Sequence, residues 1–155
     1  MAKFKNSKGI TLTELLIVLA IAGLITLVAL PSLGEWIRRS RVRAAADTLS
    51  VDCRAVRYIA VANRDSRDLN ILVNPINSYN YTDSSGKIKN VEMPIGVRLV
   101  SSTSNPITFT KTGSVSGGAK SIVLVCDVAS SLKHQYTINI SAIGKISVDL
   151  QQISP

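Results

Sequence analysis

The sequence predicts an α+β protein: a long N-terminal helix, membrane-spanning in its first half, packed through its second half on an antiparallel β-sheet domain. Three observations carry this expectation. Ile10 to Leu30 holds a single charge, Glu14, in 21 positions. Between Val42 and Ala60 apolar residues recur at spacings of three and four, the period of one helical face. From Leu69 onward the period changes to two, the period of strands.

The first nine residues carry Lys3, Lys5 and Lys8 and no acid. Such a leader holds the N-terminus in the cytoplasm and sends the rest across the membrane. The apolar run that follows suits a helix of about 20 residues spanning a hydrocarbon core. A secretory signal instead has an apolar region of about 7–15 residues ending in a small-x-small cleavage site. Here the run is longer and leads through Pro31, Ser32, Leu33 and Gly34 into a helical pattern. Glu14 is the anomaly, because a central carboxylate costs about 2.5–3.5 kcal/mol on insertion scales. Four residues from Ile10, it can stay near the headgroups. It is then either an interfacial glutamate without a task or the partner of a positive group on another subunit once the helices leave lipid.

Beyond Pro31, the residues Val42, Ala45, Leu49, Cys53, Val56 and Ala60 share one face, with most of the arginines and aspartates on the other. Ile10 to about Ala62 therefore reads as one helix. Pro31 should kink it, and Gly23 is a second weak point. The expected organisation is a leader at 1–9, a transmembrane or fibre-core helix at 10–33, its amphipathic continuation at 34–64, and a sheet domain at 65–155.

About six short strands follow. They begin with Leu69–Val73, Ile95–Leu99 and Ile107–Phe109. Ile122–Val128, Tyr136–Ala142 and Gly144–Leu150 complete the set, with turn chemistry at Ser85-Gly86 and Gly117-Gly118. Segment 74–93, rich in Asn, Ser, Tyr and Asp, reads as a surface loop.

Net charge is +8, and the pI is near 9.8. Arg38, Arg39, Arg41, Arg43, Arg54, Arg57, Arg64 and Arg67 interleave with Glu35, Asp47, Asp52, Asp65 and Asp68. Two readings stand: a solvated helix face laced with ion pairs, or a surface for nucleic acid or anionic lipid headgroups. The two cysteines, Cys53 and Cys126, form no CxxC, and His134 is the single histidine, so a zinc site lacks ligands. In an exported domain the pair suggests a disulfide at the helix–sheet interface, typically worth about 2–4 kcal/mol. The alternative is two separate buried thiols. Enzyme chemistry is not expected: G-x-S-x-G, paired histidines and a Gly-rich phosphate loop are all missing. No metal or cofactor is called for, and His134 reads as an exposed residue ahead of a strand.

The run Lys8-Gly9-Ile10-Thr11-Leu12-Thr13-Glu14-Leu15-Leu16-Ile17-Val18-Leu19-Ala20-Ile21-Ala22-Gly23 resembles the processing site of type IV prepilins and type II secretion pseudopilins. The resemblance implies that a prepilin peptidase cuts between Gly9 and Ile10 and N-methylates Ile10. Glu14 then becomes the fifth mature residue and neutralises the N-terminal amine of a neighbouring subunit. The family's usual first residue is phenylalanine; here it is Ile10. Phe109, Gly113, the tract Tyr136–Ser141, Gly144-Lys145-Ile146-Ser147-Val148, and the helical residues Leu49, Arg57 and Asn63 are similar to the GspH/FimT minor pilins and pseudopilins. That similarity implies a pilin-like fold and a minor structural subunit of a type IV pilus or type II secretion pseudopilus. Its partners would be other pilin or pseudopilin subunits, prepilin peptidase and an inner-membrane assembly platform. The chain would be single-pass in the bacterial inner membrane, with its C-terminal domain periplasmic, and would then join a fibre. An alternative role for such proteins is DNA capture through a Gly-Arg-x-Arg motif in the last hairpin. Here Gly144-Lys145-Ile146-Ser147 keeps one cation, Lys145.

Overall fold

The computed structural model describes residues 11–73, 77–126 and 133–153, with the side chains of 27–33, 35, 101, 133, 134, 152 and 153 outside the description. One helix, α1 (Leu12–Asn63), is followed by eight strands. The chain divides into two units, one up to Trp36 and one from Ile37.

In the second unit α1 ends without a glycine. Arg64 takes the left-handed conformation (φ 52°). The Asp65 N–H donates to the Ala60 carbonyl at 3.1 Å and the Arg64 N–H to Val61 at 3.2 Å. This pair of bonds is the Schellman arrangement, which satisfies carbonyls that the helix end would orphan. The chain then forms two four-stranded sheets, antiparallel at every pairing. The first contains β1 (Arg67–Leu72), β2 (Ser78–Thr82), β3 (Ile88–Glu92) and β5 (Ile107–Phe109), in the order β3-β2-β1-β5. The second contains β4 (Val97–Ser102), β6 (Lys120–Cys126), β7 (Lys133–Ile140) and β8 (Ile146–Ile153), in the order β4-β6-β7-β8.

One core joins the helix to both sheets. Val42, Ala45, Leu49, Cys53, Val56 and Ala60, the face expected from the sequence, are all buried there, together with Ala46. Leu69, Tyr79 and Phe109 from the first sheet and Ile122, Leu124 and Ile138 from the second complete it.

Two expectations are corrected. Segment 74–93 is not simply a surface loop, because it contains β2 and β3 (residues 74–76 lie outside the description). Tyr79 and Tyr81 alternate into the core on β2, where they do the work of aliphatic residues. β3 is solvated along most of its length, so it leaves no apolar alternation to read. His134 lies inside β7 rather than ahead of it.

Asp52 also departs from the solvated helix face assigned to it. It is only 5% exposed. Its carboxylate accepts from the Tyr79 hydroxyl at 2.6 Å, the Tyr81 hydroxyl at 2.8 Å and the Lys89 ammonium at 3.2 Å. Lys89 also donates to the Tyr81 hydroxyl at 3.0 Å and stands 5.3 Å from that ring's centroid. A helix residue thus ties down two adjacent strands, β2 and β3. A buried carboxylate persists only when its oxygens are satisfied in this way.

These surroundings set a pH response. Burial, then the Asp52 hydrogen bond and charge, raise the Tyr79 hydroxyl above its ordinary range. Burial likewise raises Tyr81, with Asp52 adding to the shift and Lys89 opposing it. Its hydrogen bond to Tyr81, and then Asp52, raise Lys89. Burial pushes the Cys53 thiol up to about 12. Each group keeps its proton longer folded than unfolded. Their contribution is therefore whole below the unfolded values, about 8.5 for Cys and about 10 for Tyr and Lys, and is lost as pH rises through the folded ones. Urea titrations from pH 7 to 11 should show stability level to about pH 8.5 and falling beyond. The fall should be shallower in Tyr79→Phe.

Gly144 is the position where the fold most needs glycine. It sits at φ +77°, and a Cβ there would run into the Gly113 carbonyl oxygen and the Arg57 side chain. Arg57 Nε donates to that same carbonyl at 2.9 Å. The two glycine turns and the helix arginine thus pack as one unit, and Gly144 closes the β7–β8 turn by donating to the Ser141 carbonyl at 2.8 Å.

Candidate functional site

Thr11 and Glu14 begin the helix as a reciprocal cap. The Thr11 hydroxyl accepts from the Glu14 N–H at 3.2 Å, and Glu14 Oε2 accepts from the Thr11 N–H and hydroxyl, each at 3.0 Å. This is the capping box, Thr-x-x-Glu, which satisfies orphan donors at a helix start. The pattern is legible in Thr11-Leu12-Thr13-Glu14 and puts the helix start at Leu12 rather than at the Ile10 that the apolar run suggests. Both bonds to the carboxylate go to Oε2, so among the described residues Oε1 is left for a further donor. An acid in the first turn also faces the positive end of the helix dipole.

From Leu12 to Ile25 every large apolar side chain is more than half exposed, Leu12 at 76% and Leu24 at 70% among them. A segment apolar on all sides has no single face to turn to water. Among the described residues no helix is long and apolar enough to cross a membrane. The span expected over 10–33 extends beyond them at Ile10. Gly9 and Ile10, the expected cleavage and methylation positions, likewise lie outside the described residues.

Gly23 and Pro31 both fall within the bounds of α1. A Cβ on Gly23 would meet nothing within 4 Å, so close packing does not explain the glycine. Proline at 31 forfeits the bond to the carbonyl four residues earlier.

Cys53 and Cys126 are both buried, each in the apolar core, where cysteine packs as a small hydrophobe. Burial raises Cys53 and leaves little thiolate for oxidation.

Lys145 follows the β7–β8 turn and shares an open groove of about 460 Å³ with Lys120, Thr103, Ser121, Asn139, Ser141 and Ser147. Lys120 comes from a different strand, and sequence distance hid the pairing. Among the described residues no group of His, Cys, Asp and Glu could hold a metal ion.

From Ile37 onward the chain is the end of one helix on two antiparallel sheets, and before it lies an apolar helical segment opened by a capping box. Residues 4–30 match the prokaryotic N-terminal methylation motif. The type IV minor pilin FimU of Pseudomonas aeruginosa shares the fold, with a TM-score of 0.58 and 16% identity over 74% of this chain and 92% of that one. The minor pseudopilin EpsH of the Vibrio cholerae type 2 secretion system does so with a TM-score of 0.51 and 9% identity, over 74% and 98%. Among curated proteins none matches in sequence. The motif over residues 4–30 and the fold shared with FimU and EpsH are what this chain has in common with type IV pilins and pseudopilins.

Proposed function

We propose that this chain is a GspH/FimT-like minor subunit of a type IV pilus or a type II secretion pseudopilus. It is held in the inner membrane by residues 10–33 until a platform extracts it into a fibre with other subunits. The observation that carries this reading is the methylation motif over residues 4–30 joined to a FimU-like domain. After the cut, the amine of Ile10 is a new positive group, and Glu14 Oε1, which accepts no bond among the described residues, is a matching acceptor for the amine of a neighbour. Burying helix against helix supplies the drive, and the charge pair supplies the register. Pro31 and Gly23 are the positions where the helix can bend in such a bundle. Co-expression with a prepilin peptidase tests the processing step by intact mass. The expected product begins at N-methylated Ile10; a chain that stays full length, or is cut near Pro31, overturns it.

A second reading, capture of duplex DNA, is favoured by the placement of Lys120 and Lys145 on one groove. It predicts a gel shift of the full-length chain whose affinity falls steeply with salt and whose salt slope flattens in Lys120→Ala/Lys145→Ala. A shift insensitive to both changes would sink it.

A further inference from the structure

The two sheets have four edges, and three are protected. β3 is short, solvated and accompanied by Lys87 and Lys89, charges of the kind that discourage pairing. On β4 the Asn77 carboxamide stands in for a neighbouring strand. Its Nδ2 donates to the Val97 carbonyl at 2.7 Å and its Oδ1 accepts from the Leu99 N–H at 2.8 Å. β5 is three residues long and is covered by the chain that follows it. There the Ser116 N–H donates to the Thr108 carbonyl at 3.0 Å, and Val115 bridges to Phe109.

β8 has no such protection. It is eight residues long, Ile-Ser-Val-Asp-Leu-Gln-Gln-Ile, with neither proline nor lysine. Among the described residues nothing bonds to its outer backbone. The register fixes which groups face outward. Ser141 donates to the Lys145 carbonyl at 2.8 Å, so that pair is hydrogen-bonded, and bonded and non-bonded pairs alternate along an antiparallel ladder. Ser147, Asp149 and Gln151 therefore bond to β7. The N–H and C=O groups of Ile146, Val148 and Leu150 point away from it.

The same three residues carry an apolar stripe. Ile146 and Val148 pack against the core while only partly buried. Leu150, opposite core-packed Tyr136, is 53% exposed. Unpaired backbone and uncovered apolar side chains thus coincide on one strand. On the other face Asp149 accepts from Asn139 Nδ2 at 2.7 Å through Oδ2. Asp149 is itself exposed, beside the open edge.

We propose that β8 accepts an extended segment of a different polypeptide as a fifth strand of its sheet. The segment carries apolar side chains opposite Ile146, Val148 and Leu150 and a cationic side chain opposite Asp149. Strand addition of this kind draws affinity from main-chain bonds and selectivity from alternate side chains. A second copy of this chain is the poorer occupant. The self-pairing that uses Ile146, Val148, Leu150 and Gln152 together sets Asp149 directly against Asp149. That is a non-bonded pair with Cα atoms about 4.5 Å apart, where like charges repel.

The test is amide hydrogen exchange of the full-length chain in detergent micelles, with two eight-residue peptides, alternating Val/Lys and alternating Val/Glu. The Val/Lys peptide should slow exchange at Ile146, Val148 and Leu150 at least tenfold and leave Ser147 and Asp149, already in the ladder, unchanged. The Val/Glu peptide should not. Val148→Pro removes an outward N–H and no ladder bond, so it should keep the fold and abolish the slowing. Leu150→Lys, a change at an exposed position, should do the same if the proline variant fails to fold. No slowing, equal slowing by both peptides, or slowing that grows with protein concentration alone would overturn the proposal.

Discussion

Replacing Asp52 by alanine should lower the stability of the domain from Ile37 onward by about 2–4 kcal/mol, because two core tyrosine hydroxyls lose their acceptor at about 1–3 kcal/mol each. The loss comes from those hydroxyls, Tyr79 left with no partner and Tyr81 with Lys89 alone, and not from a broken ion pair. Lys89 is half-exposed in its side chain, and a pair with such a partner is worth less than about 1 kcal/mol. The two origins are separable by measurement. Urea midpoints should shift strongly for Asp52→Ala, by about 1–3 kcal/mol for Tyr79→Phe, and by under about 1 kcal/mol for Lys89→Ala. A Lys89→Ala effect as large as that of Asp52→Ala would assign the stability to the ion pair instead.

The second large effect concerns Glu14. Its alanine variant loses the capping box as well as the acceptor. The cap is worth roughly 0.5–2 kcal/mol of helix start, and the first turn of a long helix can fray without unfolding the rest. The acceptor matters more. In a packed bundle, an amine left without its carboxylate is an uncompensated buried charge costing about 3–5 kcal/mol, or roughly a hundredfold or more in association. The expected phenotype of Glu14→Ala is therefore a chain that is made and retained in the membrane but is lost from fibres. Thr11→Ala removes the side-chain half of the cap while keeping the carboxylate, and should incorporate nearly normally.

The parts of the fold that follow a simple period were legible in the sequence. The buried helix face from Val42 to Ala60 was read from spacing alone, as were the strands around Leu69, Ile107, Ile122 and Ile138. Pairing was not legible, because a period of two marks a strand without naming its neighbour. β1 bonds to β5 across more than 30 residues, and the division into two sheets follows from that choice. β2 was hidden because tyrosine is both apolar and polar, and its hydroxyls needed Asp52, 27 and 29 residues away, to enter the core. Asp52 was misplaced for the same reason: one buried acid next to an apolar stripe looks like the start of the solvated face. At the N-terminus Glu14 was singled out by its cost in an apolar run. Its bond to Thr11 was available from the Thr-x-x-Glu spacing and would have set the helix start at Leu12. Lys120 was missed beside Lys145 because only strand pairing brings them to one groove.

The most direct measurement is the fraction of this chain recovered in purified pilus or pseudopilus fibres, quantified against the fraction left in the inner membrane, for the wild-type chain and Glu14→Ala in one strain. The wild-type chain should be present in the fibres, beginning at Ile10, and the variant should fall at least tenfold there while its membrane level holds. A wild-type chain absent from the fibres, or a variant that enters them as well as wild type, would contradict the account.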